Sequence, residues 1–436
     1  MTDSPTADRD ESGPSSRAGP EAHDPYAALR LRDFRLFLIA SVTASVGVEM
    51  QAVTVGWELY QRTGSALVLG LVGLVQIVPV LVLALPAGHV ADRYSRKHVL
   101  LAAQVALALA SLGLAALSRA RGPLALPLTF GCLLLAGTAA AFSRPARWAI
   151  VPQLVPLEHL GNAMTWNSSG WQVASVAGPG LGGLVIAARR DARPVYLLAA
   201  ACSVLLCALV AAIRVRRGEY PREPASLGSL LAGFRFVWAT PLILATITLD
   251  LFAVLLGGAT TLLPIFARDI LHVGPGGLGG LRAAPSLGAL AMALLLAHRP
   301  PLRRAGPTLL GAVAGFGVAT IGFGLSRRFW LSWTMLFLTG ALDNISVVVR
   351  STLVQALTPD SMRGRVSAVN SVFVGSSNEL GGFESGLVAQ LFGPVVSVVA
   401  GGIGTLLVVA GIAVGWPQVR RLGALHEAKP ERIGEL

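Results

Sequence analysis

Long apolar stretches alternate with short polar joints along almost the whole chain. They fall at 34–58, 66–90, 98–118, 124–146, 160–188 and 194–213, then at 239–268, 276–297, 306–326, 329–349, 366–392 and 395–416. A membrane-crossing helix needs about 20 mostly apolar residues, so the pattern predicts twelve such helices. The longest polar interval runs from Arg214 to Arg235 and separates two sets of six. Near its end Leu227, Leu230, Leu231, Phe234 and Val237 recur at helical spacing. That spacing predicts an amphipathic segment lying along the membrane surface. The expected units are a head (1–32), a six-helix bundle (33–213), a linker with the amphipathic segment (214–238), a second six-helix bundle (239–416) and a tail (417–436). The head is rich in Ser, Pro, Asp, Glu and Gly and has no apolar core segment. It is expected to be a disordered extension and not a cleaved signal peptide.

Composition sharpens this. Of 436 residues 53% are hydrophobic and only 13% charged, about half the charge of an ordinary soluble domain. Such a chain is too apolar for disorder and too poor in charge to cover a soluble enzyme. The net charge of +12 would suggest nucleic acid in a soluble protein. Here it is read as Arg and Lys gathered in loops on one membrane side, and no nucleic-acid partner is expected. With the N-terminus inside, the inner joints hold Arg93, Arg96 and Lys97, then Arg144 and Arg147, the linker cluster, Arg299, Arg303 and Arg304, then Arg350, Arg363 and Arg365. The outer joints hold far fewer. Both termini are therefore expected to be cytoplasmic. Arg-rich, Lys-poor usage points to a high-GC bacterium and hence a multi-pass protein of the plasma (inner) membrane. The lipid bilayer is its expected partner, and a monomer is expected.

No catalytic chemistry is legible. The two lysines, Lys97 and Lys429, offer no phosphate-binding loop. Cys132, Cys202 and Cys207 lie in apolar runs without metal-ligand spacing, and the seven histidines are scattered. No cofactor, metal or enzyme activity is expected.

An ungapped shift of 203 residues lays Arg147 on Arg350, Val151 on Val354, Pro156 on Pro359, Asn167 on Asn370, Gly178 on Gly381 and Gly183 on Gly386. The shift is half of a twelve-span chain, as in transporters built from two parallel halves. Ionisable residues at membrane depth are costly and default to functional candidates. Glu49 in the first span and Asp250 in the seventh fall at nearly equivalent places, since Glu49 lands beside Asp250 on Phe252. Both are candidates for carrying protons or binding a cationic substrate. Glu379, near mid-depth of the eleventh span, is a third; Glu384, five residues on, lies on another face. Arg282 needs a carboxylate or carbonyl partner, and Asp343 is expected to be structural. Arg147 and Arg350, matched by the repeat, are assigned to a cytoplasmic gate. Trp166 and Trp171 are expected along an organic-substrate cavity, and Trp57, Trp330 and Trp333 at the membrane interface.

Between the second and third spans the chain reads Gly88-His89-Val90-Ala91-Asp92-Arg93-Tyr94-Ser95-Arg96-Lys97. This resembles the signature loop of the major facilitator superfamily, with Ser95 where glycine is usual. Asp33-Phe34-Arg35-Leu36-Phe37, Thr358 to Val366, and Glu379 to Gly386 narrow the resemblance to its enterobactin-exporter-like bacterial branch, over about residues 30–420. Gly178-Pro179-Gly180 is similar to the Gly-Pro motif of antiporter-type exporters. The resemblance implies an all-α transporter with twelve transmembrane helices in two pseudo-symmetric six-helix bundles, working by alternating access. It implies that Gly88, Asp92, Arg93, Arg96 and Lys97 form a cytoplasmic latch against the facing half, with Arg96 pairing Asp92. Proton-coupled efflux of a drug, siderophore or secondary metabolite is the expected function. Uptake by the same fold and a non-transporting sensor remain the alternatives.

Overall fold

The structure is a computed structural model that describes residues 24–214, 227–300 and 303–424, and among them there is no strand. A single turn, α1 (Ala27–Arg30), leads into α2 (Arg32–Thr63), α3 (Ala66–Val82), α4 (Ala84–Arg93), α5 (Arg96–Leu117), α6 (Ala125–Leu154), α7 (Leu160–Arg189) and α8 (Arg193–Ala211). After the linker come α9 (Leu227–Ala239) and α10 (Pro241–Leu256), then an irregular stretch that holds one helical turn, α11 (Leu263–Ile265), and a wide turn at Phe266–Ile270. The remainder is α12 (Gly274–Ala297), α13 (Ala305–Leu325), α14 (Phe329–Leu357), α15 (Arg363–Phe392), α16 (Pro394–Gly415) and the short α17 (Pro417–Arg421).

Local chemistry sets several of these ends. Gly64 closes α2 with φ +62°, a left-handed conformation that costs glycine little. Ser65 then caps α3 by accepting the Val68 N–H at 3.4 Å. Proline occupies the first turn of α8, α10, α12 and α16, where its missing N–H is harmless. The second apolar stretch is not one helix: α3 carries Pro79 and stops before Leu83, and α4 begins anew at Ala84. The fourth outruns its apolar core, because α6 continues to Leu154 through Pro145 and Pro152. Arg144 and Arg147 consequently sit on a helix and not in a joint.

Among the described residues ten helical segments are long and apolar enough to cross a membrane. Ala66–Val82 is apolar but shorter. Arg363–Phe392 has the length, at 30 residues, but is not among the ten because Asn370, Asn378, Glu379, Glu384 and a run of serines dilute it. A helix of that composition belongs inside a bundle facing other helices or a cavity.

The helices preceding α9 pack mainly on one another, as α5 on α6 and α8 and α2 on α7 and α8, and those following it do likewise, as α13 on α14 and α16. We refer to them as the N-terminal and C-terminal groups. Two contacts dominate between the groups, α7 on α12 and α3 on α15. Both lie toward the end of the molecule that α2 reaches at Thr63, here termed the distal end. A single buried cluster joins the groups there, with Met50, Trp57, Tyr60, Leu69 and Ile186 against Leu262, Phe266, Leu278, Leu281 and Phe323. Trp57, expected at the membrane interface, is 5% exposed in that cluster. Trp330 is 74% exposed, as an interfacial residue would be. The distal joints carry their own ion pair, Arg119 with Asp191 at 2.5 Å. Burial pushes the Asp191 carboxyl up, but hydrogen bonds from Arg119 and the Arg193 N–H outweigh it and hold the group below the usual carboxylate range. Any stability this gives is present at neutral pH and fades as the pH falls through that lowered value.

At the opposite, proximal end, part of the segment expected as a disordered head is ordered. Residues 24–31 are docked on α7: the Pro25 carbonyl accepts from Asn162 Nδ2 at 2.7 Å and Trp166 Nε1 at 3.0 Å, and Tyr26 packs on the Trp166 ring. Trp166 therefore holds the N-terminal turn, and it is not among the residues that line the three cavities described below. The head before residue 24, linker residues 215–226 and the tail after residue 424 lie outside the described residues. The expected amphipathic segment is the helix α9, which buries Val237 and leaves Leu231, Phe234 and Trp238 exposed. The side chains of Leu227 and Leu230 lie outside the description. Gly233 lets α9 rest on the backbone of Arg365 in α15.

Candidate functional site

Three cavities run in a row through the middle of the molecule. The largest, about 470 Å³, lies within the N-terminal group among α2, α3, α5, α6 and α7, and is lined by Ser45, Glu49, Gln51, Gln76, Arg144, Arg147, Trp148, Asn167 and Trp171. The second, about 150 Å³, lies between the groups and is lined by Gly73, Gln76, Thr260, Thr261, Arg282 and Glu379. The third, about 260 Å³, lies in the C-terminal group and is lined by Asp250, Thr260, Thr320, Thr339, Asp343, Arg350 and Asn378. Gln76 belongs to the first and second, and Thr260 to the second and third. Neighbouring cavities thus share a lining residue, and each carries polar side chains in a partly apolar wall. Volumes of 300–1,000 Å³ suit small organic ligands.

The sequence-predicted carboxylates all face this row, but in different settings. Glu49 is partly buried on α2, where the backbone of α7 comes so close that a Cβ at Gly178 would strike the Glu49 side chain. The Gly-Pro-Gly segment of α7 thus brings α7 onto the face of α2 that carries Glu49. Glu379 projects from α15 against Gly73 of α3. Arg282 and Arg144 are the cations whose charge acts on both Glu49 and Glu379. Arg282 also finds the carbonyl partner expected of it, donating to Thr260 O at 3.2 Å. Asp250, by contrast, is already spoken for: it forms an ion pair with Arg350, and both side chains are 6% exposed. Asp343 lines the same cavity one wall away.

The latch residues divide. Lys97 Nζ donates to Ala211 O and Ile213 O, both at 2.8 Å, at the C-terminal end of α8. A cation is favoured at that end of a helix, where the last carbonyls lack partners. Arg96 donates to Ala149 O of α6 at 2.6 Å. These bonds stay within the N-terminal group. Gly88 lies on α4 and Arg93 is exposed at its end, while the side chain of Asp92 lies outside the description, as does any pairing of it with Arg96. Arg147 donates to Ser45 Oγ at 2.9 Å.

Sequence reasoning missed Gln76, the role of Arg144, and the whole distal seal. In the seal the Tyr60 hydroxyl bonds the Asp269 carboxylate, Arg268 lies over the Tyr60 ring at 5.4 Å, and Ser65 Oγ donates to Gln390 Oε1 at 2.9 Å. Each pair joins the two groups. Gly183 of α7 meets Gly279 of α12 so closely that a Cβ on Gly183 would lie 2.9 Å from the Gly279 Cα. The repeat that matched Gly183 to Gly386 was the available signal, since Gly386 makes the corresponding approach to Gly70 between α15 and α3. Among the described residues no group of three or more His, Cys, Asp or Glu side chains is arranged to hold a metal.

A helical bundle with a charged, cavity-lined centre and an interface between two helix groups is an arrangement that membrane transporters share. The chain belongs to the transmembrane secretion effector family, whose sequence pattern matches residues 23–430. That family is the enterobactin-exporter-like part of the major facilitator superfamily, and the protein is a multi-pass protein of the bacterial inner membrane. It is 29% identical over 375 residues to the enterobactin exporter EntS of Shigella boydii serotype 4 (strain Sb227), covering 86% of this chain and 89% of that one. The same figures hold for EntS of Escherichia coli O1:K1 / APEC. Among solved structures, a bacterial homologue of the human lysosomal transporter Spinster, inward-facing and occupied, superposes with TM-score 0.70 at 15% identity, covering 92% of this chain and 99% of that one. The inward-open xylose transporter XylE from E. coli gives TM-score 0.69 at 12% identity with the same coverage.

Proposed function

We propose that the protein exports a small organic molecule by proton-coupled alternating access, with twelve membrane passages in two six-helix bundles and both termini in the cytoplasm. The observation that carries this reading is the pairing of a sealed distal end with adjoining cavities beneath it that hold charged side chains from both helix groups. With the N-terminus cytoplasmic, a placement that the distribution of Arg and Lys supports, the distal end faces outward and the described state is inward-facing. The ten apolar helices among the described residues, with the shorter Ala66–Val82 and the polar but long Arg363–Phe392, would make up the twelve passages of this reading. The relatives named as enterobactin exporters support the outward direction and an organic cargo.

In this reading Asp92, with Gly88, Arg93, Arg96 and Lys97, engages the opposite bundle only when the cytoplasmic side closes. Arg147 and Arg350 flank that closure from matched positions of the two halves. The carboxylates at depth supply the proton sites: Glu49 and Glu379 lie in the field of Arg282 and Arg144, and Asp250 pairs with Arg350. Protonation of Asp250 would release Arg350 and change the charge of the cavity.

The test is comparative metabolite profiling of cells and medium, with the gene deleted, restored, or restored as the Glu49→Gln/Asp250→Asn pair. The expected result is a compound trapped inside the deleted strain and still trapped with the paired variant. A compound left only in the medium of the deleted strain would mean uptake and would overturn the exporter reading.

A further inference from the structure

The largest cavity carries more positive than negative charge. Arg144 and Arg147 lie three residues apart on α6, so they project from one helix face. Each therefore repels the other, and the charge of Arg144 does act on Arg147. Among the described residues neither forms an ion pair, and the one hydrogen bond made by Arg147 goes to the neutral Ser45 hydroxyl. Glu49 stands in the same cavity but is within ion-pair distance of neither. The other polar groups there, Ser41, Gln51, Gln76, Ser143 and Asn167, are uncharged. Two adjacent guanidiniums in a space walled by helices leave an unmet demand for an anion.

The same cavity offers aromatic surface. Trp148, the residue after Arg147, and Trp171 of α7 both line it, and each is 52% exposed. A tryptophan ring exposed at a cavity wall presents a flat face on which another ring can stack. The volume of about 470 Å³ admits a molecule of one or two rings with a polar arm. The carboxylates, in contrast, do not make a cation site. Asp250 has its counter-ion in Arg350, and Glu49 and Glu379 both lie in the field of Arg282 and Arg144.

We propose that this cavity is the cargo site and that it selects organic anions bearing an aromatic ring. The delocalised anionic group sits against Arg144 and Arg147, and the ring sits against Trp148 and Trp171. Carboxylate and acidic phenolate share this chemistry. The proposal deepens the exporter reading and rests on it for the word cargo, but the site can be tested without transport. Glu49 has a stated role here: its charge opposes the anion, so removing it tightens binding.

The experiment is equilibrium binding of radiolabelled 2-naphthoate to the purified full chain in lipid nanodiscs. Competition by unlabelled 2-naphthoate is compared with competition by 2-naphthylmethylammonium, which has the same ring and the opposite charge. Binding should be saturable and displaced by the anion at concentrations at least about tenfold below those needed of the cation. Arg144→Gln and Arg147→Gln should each weaken it by about tenfold, and Arg144→Lys, which keeps the charge, by less. Glu49→Gln should strengthen it by a few-fold, an effect that a misfolded variant could not produce. Saturable binding that the ammonium displaces as well as the carboxylate overturns the proposal. So does unchanged affinity in both arginine variants, or the lack of any saturable binding. A selective anion site in a chain that moves nothing across vesicles would leave this proposal standing and remove the exporter reading.

Discussion

Arg350→Met is expected to lower the unfolding free energy of the protein by about 3–5 kcal/mol and to reduce transport at least tenfold, because it strands the Asp250 carboxylate in a site 6% exposed. Arg350 comes from α14 and Asp250 from α10, so the pair ties two helices of the C-terminal group across a cavity. Two ions taken from water gain little net energy by meeting, but removing one leaves the other unmatched. The Arg350→Met/Asp250→Asn double variant should therefore recover most of the lost thermal stability while remaining inactive. Thermal unfolding in detergent, read with vesicle transport, separates the two effects. If the single variant unfolds at the parent temperature, the ion pair does not contribute to stability as argued here.

Gly183→Leu is the second large effect. At Gly183 the backbone of α7 lies against Pro275 and Gly279 of α12, and no side-chain rotamer can avoid backbone atoms so near. Overpacking of this kind costs about 1–3 kcal/mol when both partners are held in one fold. Here the contact joins two helix groups, so the strain is relieved by parting them. The variant should fold, lose transport, and expose the distal seal. Ala66, 6% exposed on that seal, reports the change: a cysteine placed there by Ala66→Cys should react with a membrane-impermeant maleimide several-fold faster when Gly183→Leu is present. Equal labelling would show that the α7–α12 contact does not hold the distal end shut.

Much of this architecture was legible before any coordinates. Apolar runs of about 20 residues located the helices, and the Gly88 to Lys97 loop carried the family. The half-chain shift even matched Gly183 with Gly386, which prove to be the close-approach glycines of the two contacts between groups. What escaped did so for physical reasons. Arg144 and Arg147 sit next to Pro145 at the edge of an apolar run, the usual signature of a joint, yet proline is tolerated in α6 and the helix runs on. Trp57 lies near the end of a span, where tryptophan commonly anchors to the interface, but the facing group buries it. The seal pairs Tyr60–Asp269 and Ser65–Gln390 join residues far apart in sequence and of ordinary type. Only the packing of one group on the other brings them together. Asp250 and Arg350 were each singled out, for different tasks, and nothing in a linear sequence pairs residues a hundred positions apart.

The central claim is that the distal end must open and close for cargo to move. Its most direct test uses the Ser65→Cys/Gln390→Cys variant with Cys132, Cys202 and Cys207 replaced by serine, bridged by a short, reducible bis-methanethiosulfonate reagent. Ser65 and Gln390 meet across the seal at 2.9 Å, so the bridge fixes the described state. The account predicts that bridged protein in vesicles transports nothing and that reduction restores transport, while each single-cysteine variant is unaffected by the reagent. Full transport by quantitatively bridged protein would contradict it.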